Sequence, residues 1–150
     1  MSIATALPRS SRAFALAAMT AFTAGCDDVG PTGPPGESLA CSTTVGSLSP
    51  GATVTGVLSR ESCRLTDGTY ADRWRLVLTE PAIVTIDMIS DDVDSFLIVR
   101  DMAGVQVAAD DDGAGGADAR ITHGFAAGTY YVLANSYYSD EFGGYTITVE

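Results

Sequence analysis

The sequence predicts an all-β fold, a single jelly-roll-like β-sandwich of about eight short antiparallel strands. Apolar and polar residues alternate with a period of two in most segments from residue 53 onward. Clusters of Gly and Asp separate these segments at short, regular intervals. After the N-terminal region, no apolar stripe with a helical period occurs. Together these observations indicate strands joined by tight turns.

The strands are predicted from their alternation, taken in chain order. In the third segment, Val84, Ile86 and Met88 form a cleaner apolar face than the residues between them, so we expect this face to point inward. Trp74 alternates with two arginines and is expected to anchor the core. The eight segments are TVTGVLS, RWRLVLT, AIVTIDMIS, SFLIVRD, VQVAA, ARITHGF, TYYVLANSY and GYTITVE.

The turns between the strands have local causes. The segment DMAG, residues 101–104, fits a tight hairpin, because the Asp101 side chain can accept from nearby amides and Gly104 permits a positive φ. Tight turns of the same kind are expected before the last two strands, at AAGT (126–129) and at FGG (142–144).

The N-terminal residues 1–25 are predicted to be a signal peptide. Arg9 and Arg12 form a short basic region, and the apolar run 13–24 follows them. A membrane-spanning helix needs roughly 20 apolar residues, so this run is too short for an ordinary anchor.

Cys26 is the predicted lipidation site. TAGC, residues 23–26, resembles the bacterial lipobox, in which cleavage occurs before a cysteine that becomes lipidated, although Thr23 replaces the usual Leu. The alternative is an ordinary secreted protein with an unlipidated Cys26. Residues 26–39 are rich in Pro and Gly and are expected to form a tether, and residues 40–150 a single domain.

The remaining cysteines, Cys41 and Cys63, are predicted to form a disulfide. If Cys26 carries lipid, these two make an even pair, and outside the reducing cytosol such a pair is usually oxidised. In the chain-entropy description, closing this loop stabilises the fold by roughly 3 kcal/mol. A two-cysteine metal site is disfavoured, because no histidine or third cysteine lies near them in sequence.

The charge of the chain limits its partners. Cleavage of the predicted signal peptide would remove Arg9 and Arg12 and leave six arginines against 19 acidic residues, which gives a net charge of −13. The chain contains no lysine. This composition argues against nucleic acid and against electrostatic binding to anionic lipid. It favours solubility and cation binding.

Six segments between about residue 53 and residue 150 follow one another in an order that is typical of a known family. They are DRWRLVL, AIVTIDMIS, DVDSFLIVRD, GVQVAADDDG, ARITHGFAAGTYYVLA and GGYTITV. In these segments the chain resembles the bacterial pre-peptidase C-terminal domain, a small jelly-roll module that is appended to secreted proteases and other exported enzymes. The resemblance implies binding or positioning roles, sometimes with calcium, and we expect this module to act without an attached enzyme.

Two acidic turns form the candidate calcium site. Three aspartates lie in residues 91–94, and four lie in residues 110–118. Ca²⁺ takes several oxygen ligands at short range, which clustered carboxylates supply. The alternative is that these aspartates form Asx-turns and cap strand ends. In the resembled fold the two turns lie close together, so the residues expected to converge on the ion are Asp92, Asp94, Asp111 and Asp112.

The last predicted loop supplies a candidate ligand site. Tyr137 and Tyr138 lie beside acidic residues and would stack on a sugar or grip a peptide. A hairpin loop packed on its own sheet is the alternative. His123, the one histidine, is expected to be an ordinary strand residue, and no G-x-S-x-G motif occurs. The sequence therefore does not predict an enzyme.

These observations predict a non-enzymatic exported lipoprotein with a binding or accessory module in the cell envelope. It would be anchored to a membrane and face the periplasm or the exterior, or be secreted if it is not lipidated. Its expected partners are an exported enzyme, a peptide or a glycan, and no cofactor other than Ca²⁺ is expected. The alternative function is an accessory or inhibitory partner of a separately encoded secreted protease or other hydrolase.

Overall fold

The computed structural model describes residues 39–150, in which two β-sheets pack face to face. The predicted signal peptide, Cys26 and the predicted tether up to residue 38 lie outside the described residues. Within the described part, no helix has the length and hydropathy needed to cross a membrane.

A short 3₁₀ helix precedes ten strands. The helix is Leu39–Ser42. The strands are β1 (Gly46–Leu48), β2 (Thr53–Leu58), β3 (Cys63–Arg64), β4 (Tyr70–Leu78), β5 (Ala82–Ile89), β6 (Ser95–Arg100), β7 (Gln106–Asp110), β8 (Ala119–Phe125), β9 (Gly128–Ser136) and β10 (Gly143–Val149). The eight predicted strands are β2 and β4 to β10. The two additional strands are too short to show a period of two.

The strands divide into a six-stranded sheet A and a four-stranded sheet B. Sheet A has the order β1-β4-β9-β6-β7, with β3 also paired to β4, and sheet B has the order β2-β10-β5-β8. All pairs among the eight predicted strands are antiparallel, whereas β1 pairs with β4 in parallel. The predicted all-β sandwich is confirmed.

The core lies between the two sheets and is built from their alternating inward residues. Val84, Ile86 and Met88 are buried as predicted, whereas Ile83 on the opposite face of β5 is 78% exposed. Trp74 is also buried in this core. Burial of one such aliphatic side chain stabilises the fold by roughly 1.5–3 kcal/mol. The apolar residues of β5 therefore determine strongly which face of this strand points into the core.

A polar cluster ties the sheets together inside the core. The Tyr145 hydroxyl, on β10, donates to Asp72 Oδ2 at 2.8 Å and accepts from Trp74 Nε1 at 2.9 Å. Gly56 lies opposite Tyr145 on β2, and a Cβ there would overlap the tyrosine hydroxyl. A glycine at this position therefore makes room for the ring.

The outer face of sheet A carries a second, smaller apolar cluster. The predicted disulfide joins Cys41 and Cys63, whose Cα atoms are 5.0 Å apart. Arg73 Nη1 donates to the carbonyl oxygens of Cys41 and Ser42 at 3.1 and 2.9 Å, which holds the 3₁₀ helix to the sheet. The buried residues of this cluster are Cys41, Leu65, Ala71, Ile98 and Leu133.

The turn after β6 forms as predicted. Asp101 Oδ1 accepts from the amides of Ala103 and Val105, both at 2.9 Å. Gly104 has a φ of 81°, which glycine adopts without steric cost.

Candidate functional site

Three loops meet at one end of the sandwich, which we call the acidic end. They are residues 90–94, 111–118 and 137–142, which connect β5 to β6, β7 to β8 and β9 to β10. The strand registers bring them together, because Ser95 pairs with Ser136 and Met88 pairs with Ala119. All sequence-predicted metal and ligand residues therefore lie at this end.

Hydrogen bonds join the three loops to one another. Ser90 N donates to Asp118 Oδ1 at 3.0 Å, which links the first loop to the second. Asp94 N donates to Glu141 Oε2 at 3.2 Å, and Tyr137 N donates to the Asp94 carbonyl at 2.8 Å. The loops thus form one connected surface.

The acidic end carries a strongly negative field. None of its three loops contains an arginine. Arg64, from β3, approaches the surface, but its Nη2 lies 4.0 Å from Asp140 Oδ1 and both side chains are exposed, so solvent screens this pair. The carboxylates of the loops are those of Asp91, Asp92, Asp94, Asp111, Asp112, Asp118, Asp140 and Glu141.

Within this surface, Asp110, Asp111 and Asp112 lie closest together. Each offers a carboxylate oxygen within 4.8 Å of the others, and among the described residues this is the one such group of three acids, histidines or cysteines. Asp111 and Asp112 were predicted from the sequence. Asp110 was placed in the same acidic turn but was not among the four expected ligands.

Asp92 and Asp94 do not join this group, so the four predicted ligands do not converge on one point. Asp92 Oδ2 instead accepts from Gly144 N at 2.9 Å, and Asp110 Oδ2 accepts from the amides of Gly113 and Arg120 at 2.7 and 2.8 Å. The bond from Gly113 matches the alternative in which aspartates organise turns. The bond between Asp92 and Gly144 is long-range and joins two loops.

The two predicted ligand-binding tyrosines are exposed at the same end. Tyr137 and Tyr138 are 48% and 57% exposed, with their rings edge-to-face at 5.0 Å. Tyr137 also meets Phe96 edge-on at 6.1 Å. Their loop is not a hairpin, because β9 belongs to sheet A and β10 to sheet B. The alternative, a hairpin loop packed on its own sheet, is therefore wrong.

Asn135 lies just before this loop and was not singled out by the sequence. It is fully buried, and neither its Oδ1 nor its Nδ2 has a hydrogen-bond partner among the described residues. Its register partners are Ala71 and Phe96, which offer only apolar side chains. No sequence pattern distinguishes a buried Asn at a strand end from an exposed one.

His123 is half-buried in β8, as expected for a strand residue. Its ring packs edge-on against Phe125 at 4.8 Å, and it pairs with Val84 across the sheet.

The comparisons with known proteins concern the fold. No family model matches the sequence, and no curated protein matches it. Among solved structures, the pre-peptidase C-terminal domain of a collagenase from Bacillus anthracis superposes with a TM-score of 0.55 at 17% identity, covering 72% of this chain and 97% of that domain. The chain has the fold of a pre-peptidase C-terminal domain. The predicted resemblance is confirmed at this level.

A second solved structure is a periplasmic inhibitor of g-type lysozyme from Aeromonas hydrophila. It has a TM-score of 0.37 at 9% identity, and covers 71% of this chain and 98% of the inhibitor.

Proposed function

We propose that the chain is a non-enzymatic accessory module outside the cytoplasm, which binds a partner through its acidic end. The observation that carries this proposal is the meeting of three hydrogen-bonded loops, with their carboxylates and two exposed tyrosines, at one end of the sandwich. Rigid strands position these loops, as is common for binding surfaces. The Cys41–Cys63 disulfide supports an oxidising compartment.

Calcium is the cation we propose for this end. Asp110, Asp111 and Asp112 provide closely spaced hard oxygen ligands, and the two backbone amides on Asp110 leave its Oδ1 and both neighbouring carboxylates to meet a cation. A bound ion would also offset the mutual repulsion of the triplet.

Thermal unfolding with and without Ca²⁺ tests this part of the proposal. Ca²⁺ should raise the Tm of the wild type, and a chelator should reverse the rise. Asp111→Asn combined with Asp112→Asn should abolish the rise, whereas Asp91→Asn, the same chemical change in the neighbouring loop, should retain it. A wild-type Tm unaffected by Ca²⁺ would refute calcium binding.

The exposed tyrosines are the proposed contact surface for a peptide or glycan. Aromatic rings bury a large area at low conformational cost, and the Phe96–Tyr137 contact holds one of them in place. Tyr137→Ser with Tyr138→Ser should weaken retention on envelope peptidoglycan or on a partner. Tyr130→Phe, near the opposite end of β9, is the control.

We also propose that Cys26 anchors the module to a membrane through a lipid, with residues 26–39 as a tether. The lipobox-like TAGC supports this, and the acidic surface gives the folded part little attraction of its own to anionic lipid. A fatty-acid probe should label the wild type in the producing bacterium and fail to label Cys26→Ala. Equal labelling of both would exclude the anchor.

The alternative is an accessory or inhibitory partner of a separately encoded exported hydrolase. The acidic end would associate readily with a hydrolase that has a basic surface, because complementary charge accelerates association. Affinity capture from envelope extract distinguishes a hydrolase partner from direct binding to a glycan. Reproducible capture of a hydrolase favours the alternative, whereas retention on purified glycan, with no other protein present, favours direct binding.

A further inference from the structure

A groove of about 560 Å³ lies on the outer face of sheet B and ends at the acidic end. Its walls come from the strands on either side of β10, with Val57 on β2 and Ile89 on β5. Its floor is low because Gly144 of β10, which pairs with Val57, carries no side chain. Clefts that bind ligands have volumes of about 300–1,000 Å³, so this groove can hold one long side chain. We call it the sheet B groove.

The walls of the sheet B groove are apolar and open to solvent. Val57 is 64% exposed and Ile89 is 48% exposed. Thr146 pairs with Ile89 on one side and with Thr55 on the other, and adds methyl and hydroxyl groups beside them. An apolar stem placed between Val57 and Ile89 would remove both side chains from water, which favours binding.

One carboxylate at the end of the groove has no partner in the described part of the chain. Asp91 lines the groove, is exposed, and forms no hydrogen bond or ion pair there. Its neighbour Asp92 differs, because its Oδ2 accepts from Gly144 N. None of the described residues that line the groove is an arginine, and on the same sheet face Arg120 is bound to Asp87 through bonds of 2.6 and 2.7 Å. The groove therefore carries negative charge that no nearby cation offsets.

The loop that carries Asp91 is fixed to β10. Ser90 Oγ donates to the Gly144 carbonyl at 2.8 Å, and it accepts from the amides of Asp92 and Val93, both at 3.0 Å. These bonds hold the carboxylate end of the groove in place before any ligand arrives. Order that exists in advance reduces the entropy lost on binding.

We propose that the sheet B groove binds a lysine side chain presented by a basic segment of another protein. The ammonium group would meet Asp91, and the methylene stem would lie between Val57 and Ile89. A lysine suits a single carboxylate because its charge is compact, whereas the planar fork of an arginine favours two acceptors in a fixed geometry. This chain contains no lysine, so the occupant is not a second copy. The inference rests on the proposed binding role of the acidic end, and it names the partner chemistry of one part of that surface.

Titration of the ¹⁵N-labelled protein with peptides, followed by amide NMR shifts in the absence of Ca²⁺, tests the proposal. The peptide Ser-Gly-Leu-Lys-Leu-Gly-Ser should give saturable shifts at Val57, Ile89 and Gly144. The same peptide with norleucine in place of lysine keeps an apolar stem, loses the charge and should not bind. The same peptide with arginine should bind more weakly than the lysine peptide.

Three results of this titration would overturn the proposal. The first is the absence of saturable shifts with the lysine peptide. The second is equal binding of the lysine peptide and of the norleucine or arginine peptide. The third is a set of shifts confined to residues 111–118 or 137–142, which would refute the sheet B groove while leaving binding by the acidic end, and so the proposed function, intact.

One pair of lysine substitutions locates the site. Val57→Lys places a like charge in the groove and should weaken binding of the lysine peptide by more than about tenfold. Ile83→Lys makes the same change of charge at another exposed aliphatic residue of sheet B, outside the groove, and should weaken binding by less than about twofold. Equal losses in the two variants would show a diffuse charge effect and refute the site.

A second pair of variants tests the carboxylate. Asp91→Asn should weaken binding of the lysine peptide about two- to fivefold, the effect of losing one exposed ion pair. Glu80→Gln removes the same charge from an exposed residue before the other end of β5, and should leave the affinity unchanged. Asp91→Asn should also keep the rise of Tm with Ca²⁺, which separates this site from the calcium site. Unchanged affinity in Asp91→Asn would contradict the contact between the ammonium group and Asp91.

Discussion

The indole Nε1 of Trp74 donates a hydrogen bond of 2.9 Å to the hydroxyl of Tyr145, across the space between the two sheets. Trp74 belongs to β4 in sheet A and Tyr145 to β10 in sheet B. The tyrosine in turn donates to Asp72 Oδ2, and all three residues are buried. A buried polar group is costly unless it is paired, so this arrangement specifies how the sheets are aligned.

Tyr145→Phe should destabilise the protein by about 2 kcal/mol, because it leaves the Trp74 N–H and the Asp72 carboxylate without their shared partner. Urea denaturation measures the effect. Tyr130→Phe is the matched control, since it removes a hydroxyl whose bond to the Ala126 carbonyl is solvent-exposed. Equal stability of the two variants would contradict this role for Tyr145.

The free energy of unfolding should fall as pH rises above about 10. Burial, together with the Asp72 charge and hydrogen bond, raises the pKa of Tyr145 above its ordinary value, although the bond from Trp74 opposes this. Between the two pKa values the unfolded chain loses this proton and the folded chain keeps it. The stability conferred below the unfolded pKa is therefore lost at up to about 1.4 kcal/mol per pH unit.

Urea denaturation of the wild type and Tyr145→Phe across pH 8 to 11 isolates this contribution, since the two proteins share every other tyrosine. The wild type should lose stability more steeply with pH. Parallel curves of unfolding free energy against pH for the two proteins would mean that Tyr145 does not contribute to the pH dependence.

Gly56→Ala should cost about 1–3 kcal/mol, because the new Cβ would overlap the Tyr145 hydroxyl and displace it from Trp74. Gly124→Ala is the control in the same sheet, where a Cβ meets no heavy atom within 4 Å. Its effect should stay within about 0.5 kcal/mol. Thermal unfolding compares the variants, and a Gly56→Ala protein as stable as Gly124→Ala would refute the close contact.

Replacing both Cys41 and Cys63 with serine should lower the free energy of unfolding by about 3 kcal/mol. The two cysteines are 22 residues apart in sequence, and the unfolded chain gains conformational entropy when the bond no longer closes this loop. Reductant should destabilise the wild type by a similar amount and leave the double variant unchanged. A wild type insensitive to reductant in unfolding experiments would show that the bond contributes little.

The strands were predictable because each one shows its period of two within a few residues. On β5, the inward set Val84, Ile86 and Met88 is uniformly apolar, and burying the other face would place Asp87 in the core. β1 was not predictable. Its three residues have no pattern, and only β4 in parallel beside them makes them a strand.

The sequence predicted several residues of the candidate site but not how these residues are arranged in space. Asp111 and Asp112 do belong to a carboxylate group, with Asp110 as its third member. Asp92 is held by Gly144 N, a bond between positions 52 residues apart, so no local pattern reveals it.

The sequence by itself determined the strands, the turn at Asp101 and the inward faces, because these depend on local periodicity and local hydrogen bonding. Tertiary structure decided which strands are neighbours, and so brought Trp74 to Tyr145 and gathered three loops into the acidic end. Such contacts depend on the free energy of packing two whole sheets together, and that energy belongs to no single segment of the chain.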